Sequence, residues 1–542
     1  MSAEASLASR RRAGGQDETT GRVLLIAGAT VAALAAIAYL AALATHPVTA
    51  TLKGFDLQVY LAGGQQALHH PDNLYAWHYQ NHPGIQFTYP PFAALLFATG
   101  SALPFRALMA LVTLLGTAAL AATIWIAFRE LGWRATARAG ATLLLTGLVF
   151  WCQPVQRTLF LGQVELVMMA VVVWDLCQPD RRWWKGAATG LAAGVKLVPL
   201  LFIVYLVVTR RFRQAAVAAG AFAVTVAIGF AVLPRPSVTW WLDGSFYQAG
   251  RTGFVGDQQN QSLRGMLTRL AGTVNGSAAL WLVIAVAVAV AGLAAALVLH
   301  NSGQTFAGLM ACALTALLVS PISWDHHWVW IAPGLAVIID AGVRSHGLAR
   351  TAWYALAGAV LAVYAAWPDF WSATAGLLRG GLINYAPASS FAQGDNPAYA
   401  EYHWHGLQVA AGNTELLAGL GLFAVVLVAA ARVARANGGL ASLTGPVGPR
   451  MAAGRPDRGM PLPDGLQGVD LTGAVPAVVA HSALAGLRSA VVDGREEVVR
   501  RRIAGACNRV GRLLQRRGEG AARLAGGAFK QRRDSGGVRG GH

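Results

Sequence analysis

Apolar runs recur ten times along this chain, at 23–45, 105–128, 138–152, 160–177, 214–233, 277–299, 305–320, 326–342, 351–367 and 409–432. A helix that crosses a bilayer needs about 20 apolar residues. Inside hydrocarbon every backbone N–H and C=O must be satisfied within the segment, which leaves helices or closed barrels. Runs of this length suit helices, so the expected fold is an all-α, polytopic transmembrane helix bundle. A leader peptide accounts for a single run near the N-terminus, not for ten. Composition agrees, because only 13% of the 542 residues are charged, about half the share of a soluble domain.

The stretch 186–208 departs from the pattern. Arg181, Arg182 and Lys185 precede it, Arg210, Arg211 and Arg213 follow it, and Lys196 and Pro199 interrupt its middle. Both ends carry the cytoplasmic signature. The expectation is two short helices, roughly 186–197 and 198–208, that enter and return. Broken backbone at membrane depth requires protein or a polar cavity around it, which points to a site near Lys196. Counting the pair as two gives about 12 membrane segments, including a broken or short helix pair.

Positive charge then orients the chain. Arg10, Arg11, Arg12 and Arg22 precede the first run, Arg129, Arg134 and Arg138 fill a later loop, and Arg432 and Arg435 follow the last run. The expected organisation is a cytoplasmic tail over 1–22, a membrane domain over 23–435 and a basic cytoplasmic tail over 436–542. Three polar segments, 46–90, 234–276 and 368–408, fall on the opposite face. The net charge of +18 does not indicate nucleic acid. Residues 438–542 hold 17 Lys/Arg and 8 Asp/Glu, so 17 − 8 = +9 sits in the tail, and most of the rest lies in short loops. That tail reads either as disordered or as surface amphipathic helices. Four cysteines show no metal or disulfide spacing.

Several polar residues stand where the apolar pattern opposes them. Asp56 follows the first run, and Tyr60 falls one helical turn later on the same face. A partly buried carboxylate there suits a general base, although a helix cap or a pair with Lys53 is also consistent with the spacing. His69, His70 and His78 match no metal template. Tyr89 precedes Pro90-Pro91, a helix start. Arg157 suits an anionic headgroup. Gln163 and Glu165 lie at the start of an apolar run, and Glu165 is placed to pair with Arg157 or Lys196. Lys196 needs an anion. Asn260 and Gln261 carry amides suited to sugar hydroxyls. Trp324, His326 and His327 crowd a short outside turn, with imidazoles able to meet a phosphate or a hydroxyl.

Together the ordered motifs Gly54-Phe55-Asp56…Tyr60 with Tyr89-Pro90-Pro91, Gly162-Gln163, Lys196-Leu197-x-Pro199, Asn260-Gln261-Ser262-Leu263 and Trp324-x-His326-His327 resemble glycosyltransferase family 87, of the GT-C class. The resemblance spans roughly residues 20–435. It implies a GT-C helix bundle in a bacterial plasma membrane with a periplasm-facing site. It also implies a lipid-linked sugar donor, polyprenyl-phosphate mannose or else decaprenyl-phosphoryl arabinose, and a glycolipid acceptor. The family includes mycobacterial α-(1→2)-mannosyltransferases of phosphatidylinositol mannosides. The family's essential aspartate corresponds to Asp56 and its loop histidine to His326 or His327. No metal or other cofactor is expected. A flippase of lipid-linked sugars is the alternative that broken helices also fit.

Overall fold

The computed structural model describes residues 2–45, 54–81, 85–366, 381–389 and 395–437. Lys53, Asp369 and the tail from 438 lie outside them. Among the described residues there is no β-strand, only isolated bridges such as Asn260 with Trp324. The apolar runs are helices, as expected. In chain order, those of eight residues or more begin with α1 (Ser2–Thr45), α2 (Phe55–His69), α3 (Pro91–Ala98), α4 (Phe105–Glu130) and α5 (Ala135–Val149). Next come α6 (Gln153–Leu161), α7 (Glu165–Leu176), α8 (Ala187–Val195), α9 (Leu200–Val208) and α10 (Phe212–Val232). Last are α11 (Leu263–Ala271), α12 (Val274–Asn301), α13 (Thr305–Val319), α14 (Ile331–Arg344), α15 (Gly347–Tyr364) and α16 (Thr414–Ala436).

Five described helices are long and apolar enough to cross a membrane: Glu18–Ala41 within α1, then α4, α10, α12 and α16. Counting the bent pair α6–α7 as one span gives up to six. The difference from 12 segments is the 18-residue α15 and five shorter helices. Helices α5, α8, α9, α13 and α14 have 15 residues or fewer, below the length that spans alone. The expected break within 186–208 is present, with α8 ending at Val195 and α9 starting at Leu200. A second break is not among those expected. The run 160–177 starts as two helices bent by 113° across Gly162–Val164.

The outer face of the long helices is apolar and uncovered, with Leu114, Val283 and Val290 more than 65% exposed. Such a band needs lipid against it. Inside, a main core joins Leu120, Val149, Leu166, Val172, Leu318, Trp328 and Tyr364. A smaller aromatic core, with Tyr60, Tyr75, Phe87, Tyr89 and Trp240, sits under the first polar segment. That segment is itself helical, since α2 occupies 55–69 where a loop over 46–90 was expected. Hydrophobicity alone does not hold helices together in lipid, so close backbone approach matters. The seam of α1 and α5 provides it. A Cβ on Gly28 would stand 2.2 Å from the Gly140 carbonyl oxygen, and one on Gly140 would stand 2.5 Å from the Leu24 backbone.

Gly140→Val should therefore lower stability by about 1–3 kcal/mol or more, the range for overpacking. Gly220→Ala, whose Cβ meets nothing within 4 Å, should not. Thermal unfolding in detergent of both variants checks this.

Candidate active site

Two glycine-dependent turns bring α2 against the α6–α7 break. Gly162 ends α6 at φ 71°, a conformation that favours glycine, and a Cβ there would stand 2.8 Å from Leu57 Cβ. The Gly54 N–H donates to the Phe160 carbonyl at 2.8 Å. Asp56 thus sits in the first turn of α2, beside Gln163 in the break. The Gln163 amide donates to Asp56 Oδ2 at 2.5 Å, and its oxygen accepts from the Tyr60 hydroxyl. Tyr60 also shares a 2.6 Å hydrogen bond with the Tyr89 hydroxyl. Asp56, Tyr60, Gln163 and Tyr89 therefore form one connected group.

Removal from water raises the pKa of Asp56 above its ordinary value, while His326, the Gln163 hydrogen bond, Arg157 and Lys196 oppose the rise. A carboxylate that gains basicity from burial yet stays within reach of cations is suited to accept a proton. Lys53, the other partner the spacing allowed, lies outside the described residues.

Lys196 occupies the break between α8 and α9 in extended backbone, φ −146° and ψ 132°. Its ammonium is hydrogen-bonded to Glu165 at the start of α7 and lies 3.0 Å from His327 Nε2. Of the two partners the sequence offered Glu165, the structure selects Lys196. Arg157 turns to the other side, with a 2.8 Å bond to Gln259 Oε1 and a 3.6 Å approach to Asp325. Glu165 is 7% exposed, so the pair is mutually required.

The turn between α13 and α14 packs against this group through His327. Asp325 is fully buried, accepts from Gln153 at 2.6 Å, and contacts both the backbone N–H and Nδ1 of His326 at 2.7 and 3.2 Å. Burial works against its charge, but Arg157 and His326 outweigh that and hold its pKa below the ordinary value. His326 Nε2 is buried without a hydrogen-bond partner. One ligand atom from each of Glu165, His326 and His327 lies within 4.8 Å of the others, a spacing that suits a metal. The Lys196 ammonium contacts two of the three, Glu165 and His327.

Not every residue marked by the sequence joins this group. Asn260 and Gln261 are fully buried, and their amides clamp backbone. Asn260 donates to Val255 O at 2.8 Å and accepts from Ser323 N at 2.9 Å. Gln261 donates to Gln258 O and Gly412 O at 2.6 and 2.7 Å. They position the Trp324–His327 turn, with Trp324 bridged to Asn260. His69 and His78 bond Gln65 and Gln86 instead. In the third polar segment, Asp395 caps Val274 N at 2.8 Å, and Trp404 stacks on the Arg269 guanidinium at 5.3 Å. Gln153 and Asp325 belong to the site without being among the expected residues. Asp325 falls inside the Trp324-x-His326-His327 motif, which is its signal; Gln153 carries none.

Removing the ammonium alone should strand a buried carboxylate. Lys196→Met is expected to cost about 3–5 kcal/mol, and adding Glu165→Gln should restore much of it. Unfolding midpoints of the single and double variants in detergent measure this.

A family model described as "Glycosyltransferase family 87" matches residues 87–321. A polyprenol-phosphate-mannose-dependent alpha-(1-2)-phosphatidylinositol pentamannoside mannosyltransferase of Mycobacterium tuberculosis (strain CDC 1551 / Oshkosh) is 35% identical over 299 residues, covering 54% of this chain and 68% of the relative. Its namesake in Mycolicibacterium smegmatis is 33% identical over 310 residues, 56% and 74% of the two chains. A polyprenol-phosphate-mannose-dependent alpha-(1-2)-phosphatidylinositol mannoside mannosyltransferase of Mycobacterium tuberculosis (strain ATCC 25618 / H37Rv) is 31% identical over 313 residues, 56% and 70%. No solved structure matches the chain.

Proposed function

The chain belongs to glycosyltransferase family 87, and from that premise we propose that it transfers mannose from polyprenyl-phosphate mannose to a mannosylated glycolipid of the phosphatidylinositol mannoside type. The relatives' names support this donor and acceptor over an arabinofuranose donor. The new bond is an α-1,2 linkage, formed on the periplasmic side of the plasma membrane, with both termini in the cytoplasm.

The carrying observation is the Asp56 carboxylate, hydrogen-bonded to Gln163 and faced by His326, Arg157 and Lys196. Asp56 takes the proton from the acceptor hydroxyl as that oxygen attacks the anomeric carbon. The bond to the phosphate oxygen breaks on the opposite side, so configuration inverts. The leaving group is a phosphodiester-derived anion, which needs positive charge rather than a proton. Lys196 and His326 supply that stabilisation, and Arg157 holds Asp325 behind His326. A built-in ammonium makes a divalent ion unnecessary for this step. Tyr60 and Tyr89 orient Gln163, and through it Asp56.

Asp56→Asn should lower transfer in membranes by about 10²–10⁴-fold, the usual worth of a general base, with the protein still folded. Asp56 works deprotonated, so activity falls as pH drops through its pKa. Because that pKa is raised, the acid limb should lie above the ordinary carboxylate value of about 4. Retained activity in Asp56→Asn, or loss of transfer with a chelator, contradicts the proposal.

A further inference from the structure

The two adjacent histidines differ in what surrounds them. His327 Nε2 lies 3.0 Å from the Lys196 ammonium and 3.5 Å from Glu165. His326 is held from behind by Asp325, at Nδ1 and at its own backbone N–H, and Thr158 Oγ1 donates to its carbonyl at 3.3 Å. Its other ring nitrogen, Nε2, is buried and has no partner. A buried, unsatisfied polar atom in a native fold calls for a ligand or water, and His326 is near enough to Asp56 for its charge to act on that carboxylate.

Asp325 is built to stay charged and fixed. It is 1% exposed, accepts from Gln153 at 2.6 Å, and its backbone N–H donates to Gln259 O at 2.8 Å. A carboxylate accepting from one imidazole nitrogen fixes the tautomer and ring plane, and stabilises the ring's positive charge. We propose that Asp325 is a positioning residue: it accepts from His326 Nδ1–H and favours the imidazolium form when the lipid-linked donor binds, so that Nε2–H donates to the donor's phosphate. The idea rests on the transferase reading above. It assigns the phosphate-facing role to His326 and leaves His327 to the Lys196–Glu165 pair. The competing role for Asp325 is purely structural, an anchor for Gln153 and Arg157.

Kinetics of Asp325→Asn, His326→Ala and the double variant, in detergent with polyprenyl-phosphate mannose, separate the two roles. Asp325→Asn keeps the shape and removes the charge. It should lower kcat by about 10–100-fold, the scale of losing an outer carboxylate behind a histidine, with a smaller change in donor KM. In the His326→Ala background the same substitution should cost less than about threefold, because the residue acts through that ring. An equal, additive loss in both backgrounds overturns the proposal, as does unchanged kcat in Asp325→Asn. Gln153→Ala removes another Asp325 partner without touching His326. If it reproduces the full kcat loss, the structural role stands and the proposal falls. The unsubstituted protein and Asp56→Asn run alongside tell the failures apart: no transfer by the unsubstituted protein sinks the transferase reading, activity retained in Asp56→Asn sinks the base assigned to it, and additivity with an inactive Asp56→Asn sinks only the role of Asp325.

Discussion

The Lys196–Glu165 pair ties together the two places where helices break. Lys196 lies between α8 and α9, and Glu165 starts α7 just after the Gly162–Val164 bend. Each charge is costly away from water without the other. Their attraction draws two broken segments to one buried polar point in an otherwise apolar bundle. His327 joins the pair from the α13–α14 turn. Asp56 joins from α2 through Gln163. Four separate parts of the chain therefore meet because their polar groups have few alternatives.

Much of this is legible in the sequence, for a physical reason. A charge in an apolar run demands a partner, so Lys196, Glu165 and Asp56 stand out by their neighbours alone. The helix break around Lys196-Leu197-x-Pro199 is readable from proline and flanking arginines. The bend at Gly162 is harder, because a single glycine is compatible with a straight helix. The helical character of 55–69 is also obscured, since polar and apolar residues mix there without a long run. Asn260 and Gln261 show the limit of reading side chains by type. Amides suit sugars and backbone equally, and only tertiary contacts show that these two clamp the loop carrying Trp324.

Family membership and geometry contribute different things. The relatives' names carry a lipid-linked mannose donor, while the structure carries the clustering of a carboxylate with cationic and imidazole groups. The same ammonium that neutralises Glu165 stands where three metal-type ligands converge.

An experimental structure with a non-reactive polyprenyl-phosphate analogue tests this site most directly. The phosphate is expected within hydrogen-bond distance of Lys196 and His326, with Asp56 facing the position of the sugar's anomeric carbon. A phosphate bound away from both residues, or an Asp56 carboxylate on the far side of the bundle from it, would contradict the site described for this chain.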